Sequence, residues 1–275
     1  MPSTPEAEEG IVSDLVGLIP AAGAGTRVAP LPSSKELFPI GFRWREVNGK
    51  RKLSPKAVSE YLVEALVRGG AKRIFMIVNS SKADILRFYG DGSAHGVSMA
   101  YLVQEQPTGM PAALDLARPW LGEATVLFGM PDTIIHPPDC YAQLLEHHRE
   151  RQADVTLGLF ATDEPWRFGM VEEDERHRLI RCVDKPRSSP LRYMWGIACW
   201  GPAFTAYLGD FCARARDEIG SELLLGDAFT SAAQSGLTVT CHSFTDGSYL
   251  DVGSPDDLMA AAMRFCRHPD DPLTP

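Results

Sequence analysis

Arg27 and Lys35 sit in one short segment, IPAAGAGTRVAPLPSSKELFPI, residues 19–40, together with two glycines and several prolines. The apolar run LVGLI before it reads as a buried strand. Glycines directly after a strand mark a place where backbone turns sharply or must come close to something. A merely structural turn has no need of two cations, so whatever approaches this loop is anionic. On the residues alone, a strand-to-loop turn and a phosphate cradle both remain open.

Two familiar phosphate-binding loops do not fit. A dinucleotide fingerprint needs a third glycine where Val28 stands, and an acidic residue near the end of the second strand, where this chain has the basic stretch WREVNGKRK. A Walker A loop ends in GKS or GKT, which is missing here.

The elements that must position these residues alternate. SPKAVSEYLVEALVRGG has helical spacing at Val58, Leu62, Ala65 and Leu66, and is expected to open near Ser54–Pro55 and stop at Gly69–Gly70. RIFMIVN, VSMAYLV, ATVLFG and ADVTLGLF read as strands. KADILRFYG, ALDLARPWL and YAQLLEHHRERQ read as the helices between them, with His147 and His148 on a solvated face. Continuous apolar strands separated by helices predict an α/β, Rossmann-like, mostly parallel sheet covered on both faces. From about Gly169 shorter strands follow (GMVEED, RLIRCVD, MWGIACW), then helices over AFTAYLGDFCARA and SELLLGDAFTSAAQSG. LTVTCHSF is a late strand and SPDDLMAAAMRFCR a final capped helix. One domain over 15–266 is expected, with a smaller β-rich part in its C-terminal half and frayed ends at 1–14 and 267–275.

Composition narrows the function. The chain has 275 residues and a formal net charge of -9, with 44% hydrophobic and 23% charged residues. That balance suits a globular protein and argues against a nucleic-acid-binding face, which needs excess Lys and Arg. Any anion must be met by a local cation cluster. The six cysteines form no CxxC pair, and several sit in apolar company, as expected of reduced thiols in a cytoplasmic protein without a zinc site. The N-terminus is acidic rather than basic, unlike a signal peptide, and no apolar run approaches the roughly 20 residues that span a bilayer, so no membrane partner is expected.

The longer pattern TRVAPLPSSKELFPI resembles the signature of the sugar-1-phosphate nucleotidyltransferases, GxGTRxxP followed by Lys and Pro, on Gly23, Gly25, Thr26, Arg27, Pro30, Lys35 and Pro39. The resemblance recurs in order through VQEQPTGMPAAL, LFGMPDTII, FGMVEED, VDKP and YLDVGSPDDLMAA, covering about 15–265. IPAAGAGTR and KELFPI look most like the uridylyltransferases, and YGDGSAHGV more like the thymidylyltransferases.

The resemblance implies that the backbone from Ala22 through Gly23, Ala24, Gly25 and Thr26 cradles phosphate, with Arg27 and Lys35 as catalytic cations. It implies that Gln104 and Gly109 read a pyrimidine edge, and that Asp132 and Asp251 meet to hold one Mg²⁺. Lys185 is implied at the sugar phosphate, Asp184 at a sugar hydroxyl, and Gly169 and Gly196 where a sugar approaches bare backbone. Asp184 replaces the family's Glu and is one methylene shorter. RYMW replaces a small, polar AVTG-like stretch and leaves the sugar open.

The implied activity makes an NDP-sugar and pyrophosphate from a sugar 1-phosphate, glucose 1-phosphate first, and dTTP or UTP. Its rivals are a non-sugar phosphate or phosphonate acceptor, use of CTP, and a catalytically silent nucleotide-sugar-binding homologue. A homo-oligomer is compatible with the chain, with Trp44 in the basic hairpin as either a subunit contact or a packed loop residue.

Overall fold

The computed structural model describes residues 14–23, 25, 30–106, 108–215 and 223–265. Strand β1 (Leu15–Pro20) is followed by the hairpin β2 (Pro39–Val47) and β3 (Lys50–Ala57). Then come α1 (Val58–Arg68), β4 (Arg73–Val78), α2 (Ala83–Tyr89) and β5 (Ser98–Val103). Helices α3 (Met110–Asp115) and α4 (Arg118–Leu121) precede β6 (Thr125–Phe128), β7 (Thr133–His136), α5 (Cys140–Glu150) and β8 (Val155–Ala161). The C-terminal half holds β9 (Gly169–Glu173), β10 (Leu179–Asp184), β11 (Tyr193–Trp200), α6 (Pro202–Ala215), α7 (Leu225–Gln234), β12 (Val239–Ser243), β13 (Ser248–Asp251) and α8 (Pro255–Phe265).

A nine-stranded sheet runs β10-β9-β11-β6-β1-β4-β5, with β8 and then β12 branching from β11. Its N-terminal half is parallel: β1 pairs β4 and β6, and β4 pairs β5. Strand β11 is antiparallel to β6, β8 and β9, which makes the C-terminal half the β-rich part. Apolar residues alternate into two cores. Val16, Leu18, Phe75 and Ile77 face one layer with Phe204 and Phe229, while Ile19, Ile74 and Met76 face the other with Leu62, Leu66 and Tyr141. That double burial is why these strands are continuously apolar.

Several local expectations are corrected. Helix α1 opens at Val58, not near Ser54–Pro55, because residues 50–57 are taken up as β3. Its first turn is closed by Glu60, whose carboxylate accepts from the Ala57 N–H at 2.8 Å. ALDLARPWL is two helices, broken at Leu116–Ala117, with Pro119 in the first turn of the second. Helix α7 begins at Leu225 rather than Ser221; Ser221 itself lies outside the described residues. His148 is not solvated: it lies on the face of α5 that buries Tyr141, Leu144 and Leu145, and its Nδ1 lies 3.0 Å from Thr156 Oγ1. His147 packs against His242, ring centroids 5.0 Å apart.

Cys140, Cys199 and Cys241 are buried free thiols, Cys212 is buried as well, and Cys182 is half-buried. Burial pushes Cys140 and Cys182 up to about 12, away from thiolate chemistry. No helix among the described residues is long and apolar enough to cross a membrane. The expectation of frayed ends falls, Asp14 apart, outside the described residues.

Candidate active site

A cavity of about 370 Å³ opens beyond the carboxyl ends of β1 and β5, where open α/β sheets bind ligands. Ala22, Gly23, Lys35, Gln104, Gly109, Asp132, Gly169, Asp184, Lys185 and Asp251 all line it. Ala24, Thr26 and Arg27 lie outside the described residues. Gly25, at φ +65°, has open space for a Cβ apart from the Lys35 stem 3.6 Å away, and it borders an adjoining polar hollow that also reaches Lys35.

The loop is anchored on both sides. Ala21 N–H donates to Ile77 O at 2.6 Å, and Asn79 Nδ2 donates to Ala22 O at 2.7 Å. Asp84 accepts from both the backbone N–H and the hydroxyl of Ser34, each at 2.7 Å, which fixes the short 3₁₀ turn beginning at Lys35. Lys35 Nζ then donates to Asp132 Oδ2 at 2.5 Å. Burial works against its charge, but the Asp132 carboxylate outweighs it, with help from Glu36 and Asp251, and the ammonium ends above its ordinary value. Glu36 itself turns inward to Lys82 at 2.6 Å.

The two aspartates arrive from far apart in sequence. Asp132 sits in the turn between β6 and β7, past the strand end, and is buried. Strand β13 pairs antiparallel with β7, with Asp251 opposite Thr133, and Val252 N–H donates to Asp132 O at 2.8 Å. The pairing therefore draws both carboxylates to one wall of the cavity. Each meets a cation: Asp132 has Lys35, and Asp251 Oδ2 lies 3.6 Å from Arg167 Nη2. No group of three or more His, Cys, Asp or Glu suited to a metal occurs among the described residues. Two carboxylates without a protein cage fit a magnesium ion that completes its shell with water and substrate phosphate.

Opposite them, β10 ends at Asp184, paired with Gly169, and Lys185 follows at φ +40° with its N–H on Phe168 O at 3.0 Å. Gly169 and Gly196 meet aromatic side chains where bare backbone toward a sugar was expected. A Cβ on Gly169 would collide with Trp195, and one on Gly196 would lie 2.6 Å from the Tyr249 ring. Gly196 does not line the cavity; the ring covers it. Gln104 N–H is spent on Val78 O at 2.8 Å. Gly109 adopts φ +99°, and a Cβ there would lie 2.6 Å from Leu223 O.

Sequence reasoning missed Arg167, Trp195 and Tyr249, which also line the cavity. Arg167 carries a signal only in hindsight, beside Gly169 in PWRFG; Trp195 lies in the departing RYMW.

A model of the nucleotidyl transferase family matches residues 16–268. The chain belongs to the nucleotidyltransferase family. It is 25% identical over 249 residues to the low-salt glycan biosynthesis nucleotidyltransferase Agl11 of Haloferax volcanii, covering 89% of this chain and 64% of that protein. To a glucose-1-phosphate thymidylyltransferase of Neisseria gonorrhoeae it is 28% identical over 250 residues, 90% of this chain and 81% of the relative. The UTP-bound UGPase of Acinetobacter baumannii shares the nucleotidyltransferase fold at a TM-score of 0.70 and 20% identity, over 91% of this chain and 92% of that one.

Proposed function

We propose that this nucleotidyltransferase moves a nucleotidyl group from UTP or dTTP to a sugar 1-phosphate, glucose 1-phosphate first, and releases pyrophosphate. The observation that carries the reading is the arrangement of charge around one cavity: Asp132 and Asp251 with Lys35 on one wall, Asp184 and Lys185 on another.

An oxygen of the acceptor phosphate attacks the α-phosphorus, a new P–O bond forms, and the bond from the α-phosphorus to the bridging oxygen breaks as pyrophosphate leaves. A phosphate monoester has its second pKa near about 6, so the nucleophile is already anionic at neutral pH and no general base is needed. The protein's task is to align polyanions and offset their charge. Lys35 and the Arg27 fork receive the departing phosphates, the planar guanidinium holding two oxygens at once. Lys185 holds the acceptor phosphate. Asp132 and Asp251 would hold Mg²⁺, which when bound supplies a positive charge against the triphosphate.

Gln104 and Gly109 read the O4, N3–H and O2 edge common to uracil and thymine. Pyrophosphate release with each of the common nucleoside triphosphates and glucose 1-phosphate tests this. UTP and dTTP are expected to be used, and CTP to be slower by roughly tenfold to a hundredfold, because its amine leaves a buried polar group unpaired. Gln104→Ala should narrow that gap while Mg²⁺ dependence stays. A wild-type preference for CTP or a purine triphosphate over both would overturn the base assignment.

A further inference from the structure

The acceptor side of the cavity is walled by a residue that transfer chemistry does not require, Trp195. We propose that its indole is the platform that selects a cyclic sugar phosphate over an acyclic phosphate or phosphonate, an inference resting on the acceptor reading above. The pairing of β11 with β8 slips between Trp195 and Ile197, leaving Gly196 as an extra residue. Such a bulge re-aims the neighbouring side chain. Met194 pairs Met170 and Gly169 pairs Asp184, so Trp195 lies in one row with Gly169 and Asp184.

Two glycines fix the ring. A Cβ on Gly169 would collide with Trp195 Nε1, and one on Gly226 would lie 3.6 Å from it. The N–H edge is therefore buried between bare backbone segments, with no hydrogen-bond partner among the described residues. Phe229 packs edge-on from the core side, centroids 5.4 Å apart, and Phe128 lies at 6.2 Å. An indole held this way gives the cavity flat carbon surface, not a donor. Phe168 and Tyr249, in edge contact at 6.0 Å, extend that surface. Asp184 and Lys185 supply polarity beside it. A pyranosyl phosphate offers each its match: a C–H face for the indole, a hydroxyl rim for the carboxylate and a phosphate for the ammonium. An acyclic phosphonate has no face to lay on the ring.

The test compares wild type, Trp195→Phe and Trp195→Ala with UTP and either glucose 1-phosphate or 2-aminoethylphosphonate, reading pyrophosphate. Trp195→Ala should lower kcat/KM for glucose 1-phosphate roughly 10- to 100-fold, through the acceptor KM, and narrow the gap to the phosphonate. The KM for UTP should not change. Trp195→Phe keeps an aromatic face and should stay close to wild type. Should Trp195→Ala fail to fold, Trp195→Leu leaves a smaller void, offers no flat face and takes its place. Glucose 1-phosphate alone should change the wild-type tryptophan emission in a saturable way, and Trp195→Phe should lose that change. Equal impairment in the Phe and Ala variants, unaltered acceptor discrimination in Trp195→Ala, or an emission that glucose 1-phosphate leaves unchanged overturns the platform. No pyrophosphate from wild type with any pair would instead defeat the acceptor reading, and the emission titration would still decide the platform.

Discussion

Asp132 and Lys35 meet at 2.5 Å although 97 positions separate them, and Asp251 joins from a strand still further along. Replacing Asp251 by Asn should leave thermal unfolding close to wild type, because the exchange preserves shape. Turnover should fall on the order of 10³-fold, since a metal site deprived of a charged ligand loses several kcal/mol at the transition state. Near-normal steady-state rates in Asp251→Asn would remove the metal role. Arg27→Lys keeps charge but not the fork, and its kcat should drop as well; identical kinetics would contradict a bidentate contact. That Lys35, Asp132 and Asp251 line one cavity was legible because each of the three sits in a separate motif. Trp195 was not, because a strand bulge aims its side chain, and Arg167 was not, because it stands on a short 3₁₀ turn tied to Asp257 90 positions away; neither leaves a local pattern in sequence.

At the scale of elements, the parallel strands were legible since burial on both faces writes an unbroken apolar run. The hairpin is only partly legible: Ser54–Pro55 looks like a helix start, yet Pro55 sits in β3 opposite Phe42. What anchors the hairpin is long-range. Glu60 is fully buried and takes Arg45 at 2.5 Å and Arg43 at 3.2 Å. Glu60→Ala should cost about 3 kcal/mol in urea unfolding, because Arg45 loses its counter-charge and the Ala57 N–H its acceptor, while Arg43 keeps Glu64 at 3.0 Å. A loss below 1 kcal/mol would show that the hairpin is held by its apolar contacts instead. The split at Leu116–Ala117 was illegible because both residues are good helix formers, and only Pro119 hinted at a new start.

Across the whole molecule, burial depresses His95, His147 and His148 to about 4 from 6.5. They are neutral in the fold and take up protons more readily once unfolded, so the stability they support is full above about pH 6.5 and is lost as pH falls toward 4. The thermal midpoint should therefore decline steadily across that window. A flat profile there would contradict the burial of these rings. His148→Gln should flatten part of the slope. The family assignment rests on the match over 16–268, but the reaction itself is decided most directly by following the α-phosphorus. With UTP labelled at that atom, glucose 1-phosphate and Mg²⁺, label should pass into a UDP-sugar with one pyrophosphate released per transfer, and none should move without the acceptor. Label that stays in UTP, or that appears only in free UMP, would contradict nucleotidyl transfer to a sugar phosphate.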